Sequence, residues 1–555
     1  MDEPSFASSL RPATDVESGE SASRGPDASS TVAGLGSLAE LIRKRSRQHG
    51  NRIAFIGPNR SWTYAELDDD SNRVANGLRA AGVGRGDRIA CLTRHGAECA
   101  LLLFAASKLG AVLAPLNWRL SGRELEYVLG VASPKVLVAD AFMQGTIGEL
   151  QRNRPRLVLT TDAPDGAASF VRWREQFLAL DPGVNPELDE PVAQLFSSGT
   201  TGLPKGVELS HCGILVHCKE WVEPFRYRVE DTTHLNVLPT FHVSGVVNAV
   251  WMVFLGGKAV FLPEFSPQVY LAAIETHRVT DAFAVPAMLR AMVQSPAISQ
   301  ADLSSLRGIA YGGAPIDEAL LNQCLERFRC GFVQVYGMTE ASGTLTALLP
   351  DEHLAGARSG DLLRSVGKPG PHIDLKIVDP TSGAACAEGA VGEVWVRSSQ
   401  LMSGYSADKA ATAAAFPEGR DWPGGWMRTG DAGYLRNGYL FLHDRIKDMI
   451  ISGGENIYPA EVENVLAGHP SIVEVAVIGV PDEKWGETVK ACVVLQPAEQ
   501  VTGAQLIAFA RDRLAHYKCP TSVDFIEALP RNPSGKVLKR VLRERYWEGR
   551  SRQIS

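Results

Sequence analysis

The hydrophobic pattern of the chain after residue 36 alternates between short apolar runs and longer segments with one apolar face. Residues 38–49 form the first amphipathic segment, residues 53–63 resemble a hairpin, and a helix is predicted from 63 to 81. Beyond this point, strands and helices alternate in the manner of parallel α/β proteins. The predicted strands are 88–93, 112–116, 135–140 and 157–161, with a helix at 97–109.

A second α/β block is predicted from the glycine-rich loop at residue 197 to about residue 346. Its apolar helix is predicted at 243–255, and its strands at 234–238, 259–262, 308–311 and 333–335. Two of these strands end in glycine-containing turns, at Gly312-Gly313 and at Gly337. Because ligands of open parallel sheets bind beyond the carboxyl ends of strands, we expect these ends and the loop at 197 to share one crevice.

The last third of the chain has a different pattern. Residues 375–443 are β-rich, and Asn437-Gly438 predicts a tight hairpin turn. Residues 446–555 predict a small separate α+β domain with helices at 459–468 and 503–514 and strands at 473–479 and 489–495. The fold class is therefore α/β: a large N-terminal domain (36–443) of packed α/β subdomains plus a β-rich subdomain, followed by the smaller domain.

Composition narrows the functional classes. The chain has 555 residues, 45% of them hydrophobic, and a net charge of −7, which is ordinary for a soluble globular protein. Residues 1–35 hold six acidic and two basic residues among Ser, Ala, Pro and Gly, so we expect a disordered tail. The remainder is close to neutral, which argues against nucleic acid as a partner.

Cysteine usage and apolar runs bear on localisation. The nine cysteines are scattered without a C-x-x-C pair, which indicates reduced thiols and a cytoplasmic protein. We expect no signal peptide and no transmembrane segment, because the longest apolar runs are too short or too interrupted. For the pairs His211-Cys212 and His217-Cys218, a structural role in a helix continuing from the glycine-rich loop is favoured over metal binding.

The loop Ser197–Gly206 carries the strongest chemical signal. It follows the apolar strand predicted at 191–196 and contains three glycines, four hydroxyls and Lys205. Backbone N–H groups freed by glycine, together with a lysine, suit a polyphosphate. Pro204 occupies a position where the usual P-loop spacing requires glycine. We therefore predict a nucleotide site of another kind, in preference to a solvent-exposed linker.

Seven stretches of the chain resemble, in order, the motifs of adenylate-forming enzymes. They are Ser197–Gly206, Leu238–His242, Gly312–Pro315, Tyr336–Glu340, Arg428–Asp431, Asp444–Asn456 and Pro530–Lys536. The resemblance covers about residues 36–548, and within the superfamily the chain resembles bacterial fatty-acid–CoA ligases. It implies ATP-dependent formation of an acyl-AMP and then an acyl-CoA, with a medium- or long-chain fatty acid as the favoured substrate. An aromatic acid, or a carrier protein as thiol acceptor, remains an alternative.

The resemblance implies roles for individual residues. Thr200, Thr201 and Lys205 would hold phosphates, and Glu340 with Thr200 would anchor Mg²⁺. Tyr336 would face adenine and Asp431 would accept the ribose hydroxyls. By residue type alone, Glu340 could be an acid at a helix start, Asp431 a turn cap and Tyr336 a core residue. The implied ATP/AMP-binding residues are Ser197, Ser198, Gly199, Thr200, Thr201, Lys205, Gly313, Ala314, Gln334, Val335, Tyr336, Gly337, Thr339, Asp431, Arg445, Asn456 and Lys536.

The resemblance also implies a mobile C-terminal domain that hinges at residues 444–445, on Asp444. In one posture Lys536 bridges the substrate carboxylate and the α-phosphate, and in the other the loop Ser452, Gly453 and Gly454 forms a channel for CoA. The implied catalytic residues are Lys536, Thr200, Glu340 and His242.

For the acid itself, the resemblance implies an acyl pocket at His242, Val246, Gly337 and Met338. No acidic residue occurs between Thr240 and Met252 to hold an ammonium group, so an apolar acid is favoured over an amino acid. The expected partners are a small carboxylic acid and CoA, with peripheral membrane contact and a homodimer left open.

Overall fold

The computed structural model describes residues 34–94, 96–162, 168–198, 203–314, 316, 318–359, 362–420, 425–445, 448–453, 455–496, 499–531 and 537–548. Side chains at 198, 355, 357–359, 444, 445 and 456 lie outside the description. None of the helices in these ranges combines the length and the apolar character that a bilayer span requires.

The first part of the N-terminal domain alternates helices and strands much as the hydrophobic pattern predicts. Capping boxes begin three of its helices, at Ser37–Glu40, Thr63–Glu66 and Ser121–Glu124. The elements are α1 (Leu38–His49), β1 (Ile53–Ile56), β2 (Ser61–Thr63), α2 (Tyr64–Ala80), β3 (Arg88–Leu92), α3 (Gly96–Ser107), β4 (Val112–Pro115), α4 (Gly122–Ala132), β5 (Val136–Ala139), α5 (Gln144–Gly148), β6 (Leu157–Thr160) and α6 (Phe170–Glu175).

The second part of this domain contains the predicted strands with glycine-rich ends. Its apolar helix has the predicted bounds because His242 and Gly256 flank an apolar run. The elements are β7 (Pro191–Ser198), β8 (Pro204–Ser210), α7 (His211–Glu220), β9 (Thr233–Asn236), α8 (Val243–Leu255), β10 (Lys258–Phe261), α9 (Pro267–His277), β11 (Asp281–Ala284), α10 (Pro286–Gln294), β12 (Gly308–Gly312), α11 (Glu318–Phe328), β13 (Gly331–Met338), β14 (Gly343–Leu348), α12 (Pro350–Ser359) and β15 (Lys368–Pro369).

The remainder comprises the β-rich subdomain and the α+β C-terminal domain. The predicted Asn437-Gly438 turn is confirmed, since Tyr434 pairs with Phe441 across it. The elements are β16 (Asp374–Val378), β17 (Gly392–Arg397), β18 (Gly404–Tyr405), α13 (Lys409–Ala415), β19 (Met427–Arg436), β20 (Tyr439–Arg445), β21 (Ile450–Ser452), β22 (Glu455–Ile457), α14 (Pro459–Ala467), β23 (Ile472–Asp482), β24 (Gly486–Leu495), α15 (Gly503–Arg511), β25 (Ser522–Phe525) and α16 (Lys539–Trp547).

Two sheets of mostly parallel strands form the N-terminal domain. One has the order β18-β8-β7-β4-β3-β5-β6, and the other β15-β14-β13-β12-β11-β9-β10-β1-β2. A hydrophobic core joins the helices around them, including α3, whose residues 101–107 are fully buried. The β-rich subdomain has the order β16-β17-β19-β20, and the C-terminal sheet runs β22-β21-β24-β23 with β25 beside β24.

The sequence prediction left two long-range pairings open and was wrong in one local feature. The strand before the glycine-rich loop joins the first sheet, where β7 lies parallel to β4. The hairpin of β1 and β2 joins the second sheet, where Phe55 pairs with Ala259. No helix runs on from the loop: β8 follows it, antiparallel to β7, and α7 begins only at His211.

Four buried histidines in this domain are held neutral. Loss of hydration lowers the pKa of His211 and His217 to about 3, and that of His234 and His242 to about 4. In an unfolded chain each would bind a proton near pH 6.5. Below that pH the unfolded state therefore binds more protons than the folded state. The contribution of these histidines to stability is complete above pH 6.5 and is lost as the pH falls toward 4.

We expect His211→Asn to reduce this pH dependence. His211 Nδ1 accepts a hydrogen bond of 3.2 Å from the Leu38 backbone N–H, and the amide oxygen of asparagine can replace it. Between about pH 7 and pH 5 the free energy of unfolding should fall by about 2 kcal/mol less in the variant than in the wild type. Denaturant titrations at both pH values measure this difference, and equal losses in the two proteins would contradict it.

Candidate active site

The glycine-rich loop is held against a buried carboxylate. Ser197, at the end of β7, donates a hydrogen bond of 2.9 Å to Glu340 Oε1, and the Tyr405 hydroxyl donates one of 3.2 Å to the same oxygen. Glu340 lies in a short helical turn after β13 and is 7% exposed. The loop of the first sheet and the strand end of the second sheet therefore meet at one carboxylate, as the crevice prediction requires.

Tyr405 belongs to this site although the sequence analysis did not single it out. The short strand β18 pairs with β8, with Tyr405 opposite Val207. Its ring lies 4.9 Å from Lys205 Nζ, in cation–π geometry. Tyr405 therefore contacts both the lysine of the loop and Glu340. The only sequence signal was its glycine neighbour, Gly404, since nothing local shows that these two residues add an edge strand.

The contacts of Glu340 fit the magnesium prediction. Both described hydrogen bonds go to Oε1, which leaves Oε2 without a hydrogen bond from the residues that the structure describes. A carboxylate oxygen is a ligand that Mg²⁺ favours, with phosphate and water completing its coordination. The other predicted ligand, Thr200, lies outside the described residues.

Near the carboxyl end of β13, Tyr336 is joined to Asp431. The Tyr336 hydroxyl donates a hydrogen bond of 2.7 Å to Asp431 Oδ2, and Tyr336 is 9% exposed. Asp431 lies opposite Arg445 in the β19–β20 pairing. The structure therefore brings together an aromatic ring and a carboxylate, which is the pair predicted for adenine and ribose.

The turn that carries Asp431 is organised by Glu393, another residue that the sequence analysis missed. This carboxylate is 2% exposed. It accepts hydrogen bonds from Arg428 Nε (2.8 Å), Trp395 Nε1 (3.0 Å) and the Gly430 backbone N–H (3.2 Å). Glu393 thus holds both ends of the Arg428–Gly430 segment, and a carboxylate near the start of an apolar β-strand was the available signal.

The strand ends at β12 and β13 lie where the sequence predicts. Gly313 has φ of +80°, and among the described residues a methyl group there would meet only Val285, at 3.9 Å. Ala314 follows it and is exposed. Gly337 has a different reason to be glycine: an added Cβ would lie 2.0 Å from the Gly343 carbonyl oxygen. Close pairing with β14, as well as access for a ligand, requires glycine at this position.

A cavity of about 640 Å³ opens between these strand ends and α8. The predicted site residues that line it are Gly313, Val335, Gly337, Met338, Thr339 and His242. Gln334 lies nearby and accepts a hydrogen bond of 3.3 Å from the Tyr311 hydroxyl. The combination of an apolar chamber and a polar nucleotide crevice is what an enzyme that activates an apolar acid requires.

One predicted lining residue lies elsewhere. Val246 is 4% exposed and packs in the hydrophobic core, whereas Val243 and Val247 line the cavity. Successive residues of a helix are about 100° apart around its axis. The face of α8 toward the cavity therefore carries Val243, Ser244, Val247, Asn248 and Trp251, and Val246 lies to one side of that face.

His242 lies at the N-terminal boundary of α8 and lines the cavity. Burial, with a smaller contribution from Arg119, lowers its pKa to about 4. Its Nε2 has no hydrogen-bond partner within the described residues. At neutral pH a neutral imidazole therefore has a ring nitrogen available at the cavity wall.

In the C-terminal domain, the predicted CoA loop has one constrained glycine. Gly453 has φ of +60°, its N–H donates 2.8 Å to the Trp485 carbonyl oxygen, and an added Cβ would lie 2.7 Å from the Trp485 ring. Ser452 pairs with Glu455 and with Gly486. The half-exposed Trp485 ring therefore lies against the loop predicted to admit CoA.

Several predicted residues cannot be placed. Gly199, Thr200, Thr201, Gly454 and Lys536 lie outside the described residues, and for Ser198, Asp444, Arg445 and Asn456 only the backbone is described. The backbones of Asp444 and Arg445 continue β20, and Asn456 is opposite Ile451 in the β21–β22 pairing. Their roles, the hinge at 444–445 included, stay predictions.

Comparison with known proteins assigns the family. The family model described as AMP-binding enzyme matches residues 42–406, and that of the AMP-binding enzyme C-terminal domain matches residues 461–536. The chain belongs to the AMP-binding, adenylate-forming enzymes. This confirms the resemblance inferred from the seven motifs, and it makes the protein an ATP-dependent acid–thiol ligase of the acyl-CoA synthetase type.

Individual relatives cover nearly the whole chain. The fatty acid–[acyl-carrier-protein] ligase ScoC of Streptomyces coeruleorubidus is 39% identical over 94% of this chain and 98% of its own length. A feruloyl-CoA synthase of Amycolatopsis sp is 38% identical over 92% and 99%. The crystal structure of ATP-bound MatB from Rhodopseudomonas palustris is 31% identical, with a TM-score of 0.82 over 92% of this chain and 99% of that one. The fold prediction is thereby confirmed, whereas the acids named for these relatives differ.

Proposed function

We propose that this member of the family activates an uncharged-tail carboxylic acid as its acyl-AMP and then transfers the acyl group to the thiol of CoA. The observation that carries the proposal is the meeting of Ser197 and Tyr405 at Glu340, which directly follows two residues that line the cavity, Met338 and Thr339. This arrangement supports a site in which the loop would bind phosphate, the carboxylate would bind Mg²⁺ and the cavity would hold the acid.

The adenylation step requires positioning and positive potential more than covalent catalysis. Tyr336 and Asp431 orient the nucleoside, so that the α-phosphate faces the cavity, where the acid carboxylate attacks it and pyrophosphate leaves. Lys205, with Thr200 and Thr201, compensates the charge of the phosphates, and Lys536 neutralises the carboxylate and the α-phosphate. A magnesium ion at Glu340 would supply Lewis-acid stabilisation of the leaving pyrophosphate.

The thioester step needs the small domain in a second posture. Its Gly453 lies directly against the Trp485 ring, where a larger residue would not fit, and the narrow pantetheine arm would enter along the Ser452–Gly454 loop. The thiolate then attacks the acyl carbonyl and AMP leaves. His242, neutral at physiological pH, lies at the cavity wall where that carbonyl would be held.

The acceptor can be tested directly. Purified protein with ATP, Mg²⁺ and a panel of straight-chain and aromatic acids should release pyrophosphate, and mass spectrometry should find acyl-CoA when CoA is added. A phosphopantetheinylated carrier protein in place of CoA should be acylated at least about tenfold more slowly. Faster acylation of the carrier protein than of CoA would show that the carrier is the acceptor. The proposed adenylation step would be unaffected.

A further inference from the structure

One end of the acid cavity holds buried polar atoms without partners. Asn248 Nδ2, Trp251 Nε1 and both ring nitrogens of His217 lack hydrogen bonds within the described part of the chain. All three residues line the cavity and are 3–6% exposed. A buried donor left unsatisfied costs about 1–3 kcal/mol, so three such residues on one wall indicate a missing polar partner.

The chemistry of these atoms defines that partner. An indole N–H and an amide NH₂ are donors only, so the partner must carry an acceptor oxygen. Burial holds the pKa of His217 at about 3, and the neutral ring offers one donor and one acceptor. This histidine can therefore accept a hydrogen bond from a hydroxyl group while the two donors bind the hydroxyl oxygen.

The same end of the cavity is aromatic. The Trp251 ring lies 4.7 Å from that of Tyr227, 5.5 Å from that of Phe225 and 5.3 Å from that of His217. All four residues line the cavity. We call these four rings the aromatic box. Edge-to-face and offset contacts favour the binding of another aromatic ring there over a flexible alkyl chain.

The distance between His242, at the reacting end of the cavity, and the unpaired donors is suitable for an aromatic ring. Asn248 and Trp251 lie six and nine residues after His242 on α8, which places them about 9 and 13 Å along the helix axis. The side chains of this cluster carry no formal charge. Of the two arginines that line the cavity, Arg94 is paired with Glu264, and Arg119 lies over the Trp118 and Phe241 rings. Burying a second carboxylate among neutral groups would be costly, so the oxygen belongs to an uncharged substituent.

We propose that the acid cavity is specific for an aromatic carboxylic acid with a hydroxyl or ether oxygen on its ring, bound by Asn248, Trp251 and His217. This inference rests on the proposed function and selects its aryl alternative over the fatty acid favoured by the sequence. A ligand oxygen satisfies all three residues, and the ring fills the aromatic box. An alkyl tail would leave every one of these donors unpaired.

Gly343 supports the placement of His217. With φ of +135°, it would bring an added Cβ to within 2.5 Å of His217 Nε2, so glycine leaves the space that this ring occupies. The glycine also lines the cavity. His217, which also lines the cavity, is thus held between the β14 backbone and Trp251.

The test compares pairs of acids that differ in one oxygen. Rates of pyrophosphate release give kcat/KM for cinnamic acid, its meta- and para-hydroxy derivatives, octanoic acid and dodecanoic acid. The wild type should prefer at least one hydroxylated acid over cinnamic acid by at least about tenfold, and over both alkyl acids. Asn248→Leu and Trp251→Phe should each bring the hydroxyl preference to within about threefold of unity while cinnamic acid is still activated.

Met288→Leu is the matched control, because Met288 lines the cavity and the change alters no hydrogen-bonding group. Its hydroxyl preference should stay at the wild-type value. Should one variant fail to fold, as judged by thermal unfolding and lost activity on cinnamic acid, the other variant and the wild-type preference still decide. A wild-type enzyme with a higher kcat/KM for an alkyl acid, or with equal values for cinnamic acid and its hydroxy derivatives, overturns this inference. The proposed ligase function would still stand. Failure to activate any acid would instead refute the proposed function.

Discussion

Lys536→Ala should lose acid-dependent release of pyrophosphate by a factor of at least about 10²–10³ while still converting supplied acyl-AMP and CoA to acyl-CoA at near the wild-type rate. The lysine is predicted to meet the negative charge that develops only during adenylation, and loss of one such group costs about that factor. Its removal should spare the second step, because the C-terminal domain then presents a different surface. Both half-reactions are measured separately, with pyrophosphate and thioester as readouts.

Lys518→Ala is the control for this variant. Lys518 lies in the same domain and forms an ion pair of 2.7 Å with Glu461, so its removal makes the same charge change away from the predicted reaction. It should leave both half-reactions within about twofold of wild type. Equal loss of both steps in Lys536→Ala would contradict the assignment of the two postures.

Glu340→Gln should lower kcat/KM for pyrophosphate release by about 10²–10³, because several kcal/mol of metal-based charge stabilisation depend on this carboxylate. Glutamine keeps an oxygen that can accept the hydrogen bonds of Ser197 and Tyr405, so the loop should stay in place. The concentration of Mg²⁺ needed for half-maximal rate should rise, and titration of the rate with Mg²⁺ measures this shift.

Tyr405→Phe separates the metal role from the structural one. It removes one hydrogen bond of 3.2 Å to Glu340 and keeps both the negative charge and the ring beside Lys205. A loss of less than about tenfold, without a change in Mg²⁺ requirement, is expected. If Tyr405→Phe were as impaired as Glu340→Gln, the carboxylate would serve chiefly to anchor the loop.

Local patterns explain which elements the sequence could predict. Helix α8 is an apolar run between His242 and a left-handed Gly256, and the β19–β20 hairpin has an Asn-Gly turn. Pairings distant in sequence have no comparable signal. Nothing near Phe55 indicates that it pairs with Ala259, or that β7 belongs beside β4. Helix α4 was missed despite a signal, the capping box of Ser121 and Glu124.

The candidate site shows the same division. Motif residues such as Glu340, Tyr336 and Asp431 could be named from the sequence. In the structure Ser197 donates a hydrogen bond to Glu340, and Tyr336 donates one to Asp431. Their supports could not be named from the sequence, because Tyr405 and Glu393 reach the site only through strand pairing in three dimensions. Likewise, the unpaired state of Trp251 is a property of packing, which a helical pattern does not reveal.

The most direct measurement is isotope exchange between labelled pyrophosphate and ATP, with Mg²⁺ and the acid panel but without CoA. Because adenylation is reversible and precedes thioester formation, label should enter ATP only when an accepted acid is present, and Lys536→Ala should abolish the exchange. Absence of exchange with every straight-chain and aromatic acid, from folded enzyme, would contradict an acyl-AMP intermediate and with it the account of this site.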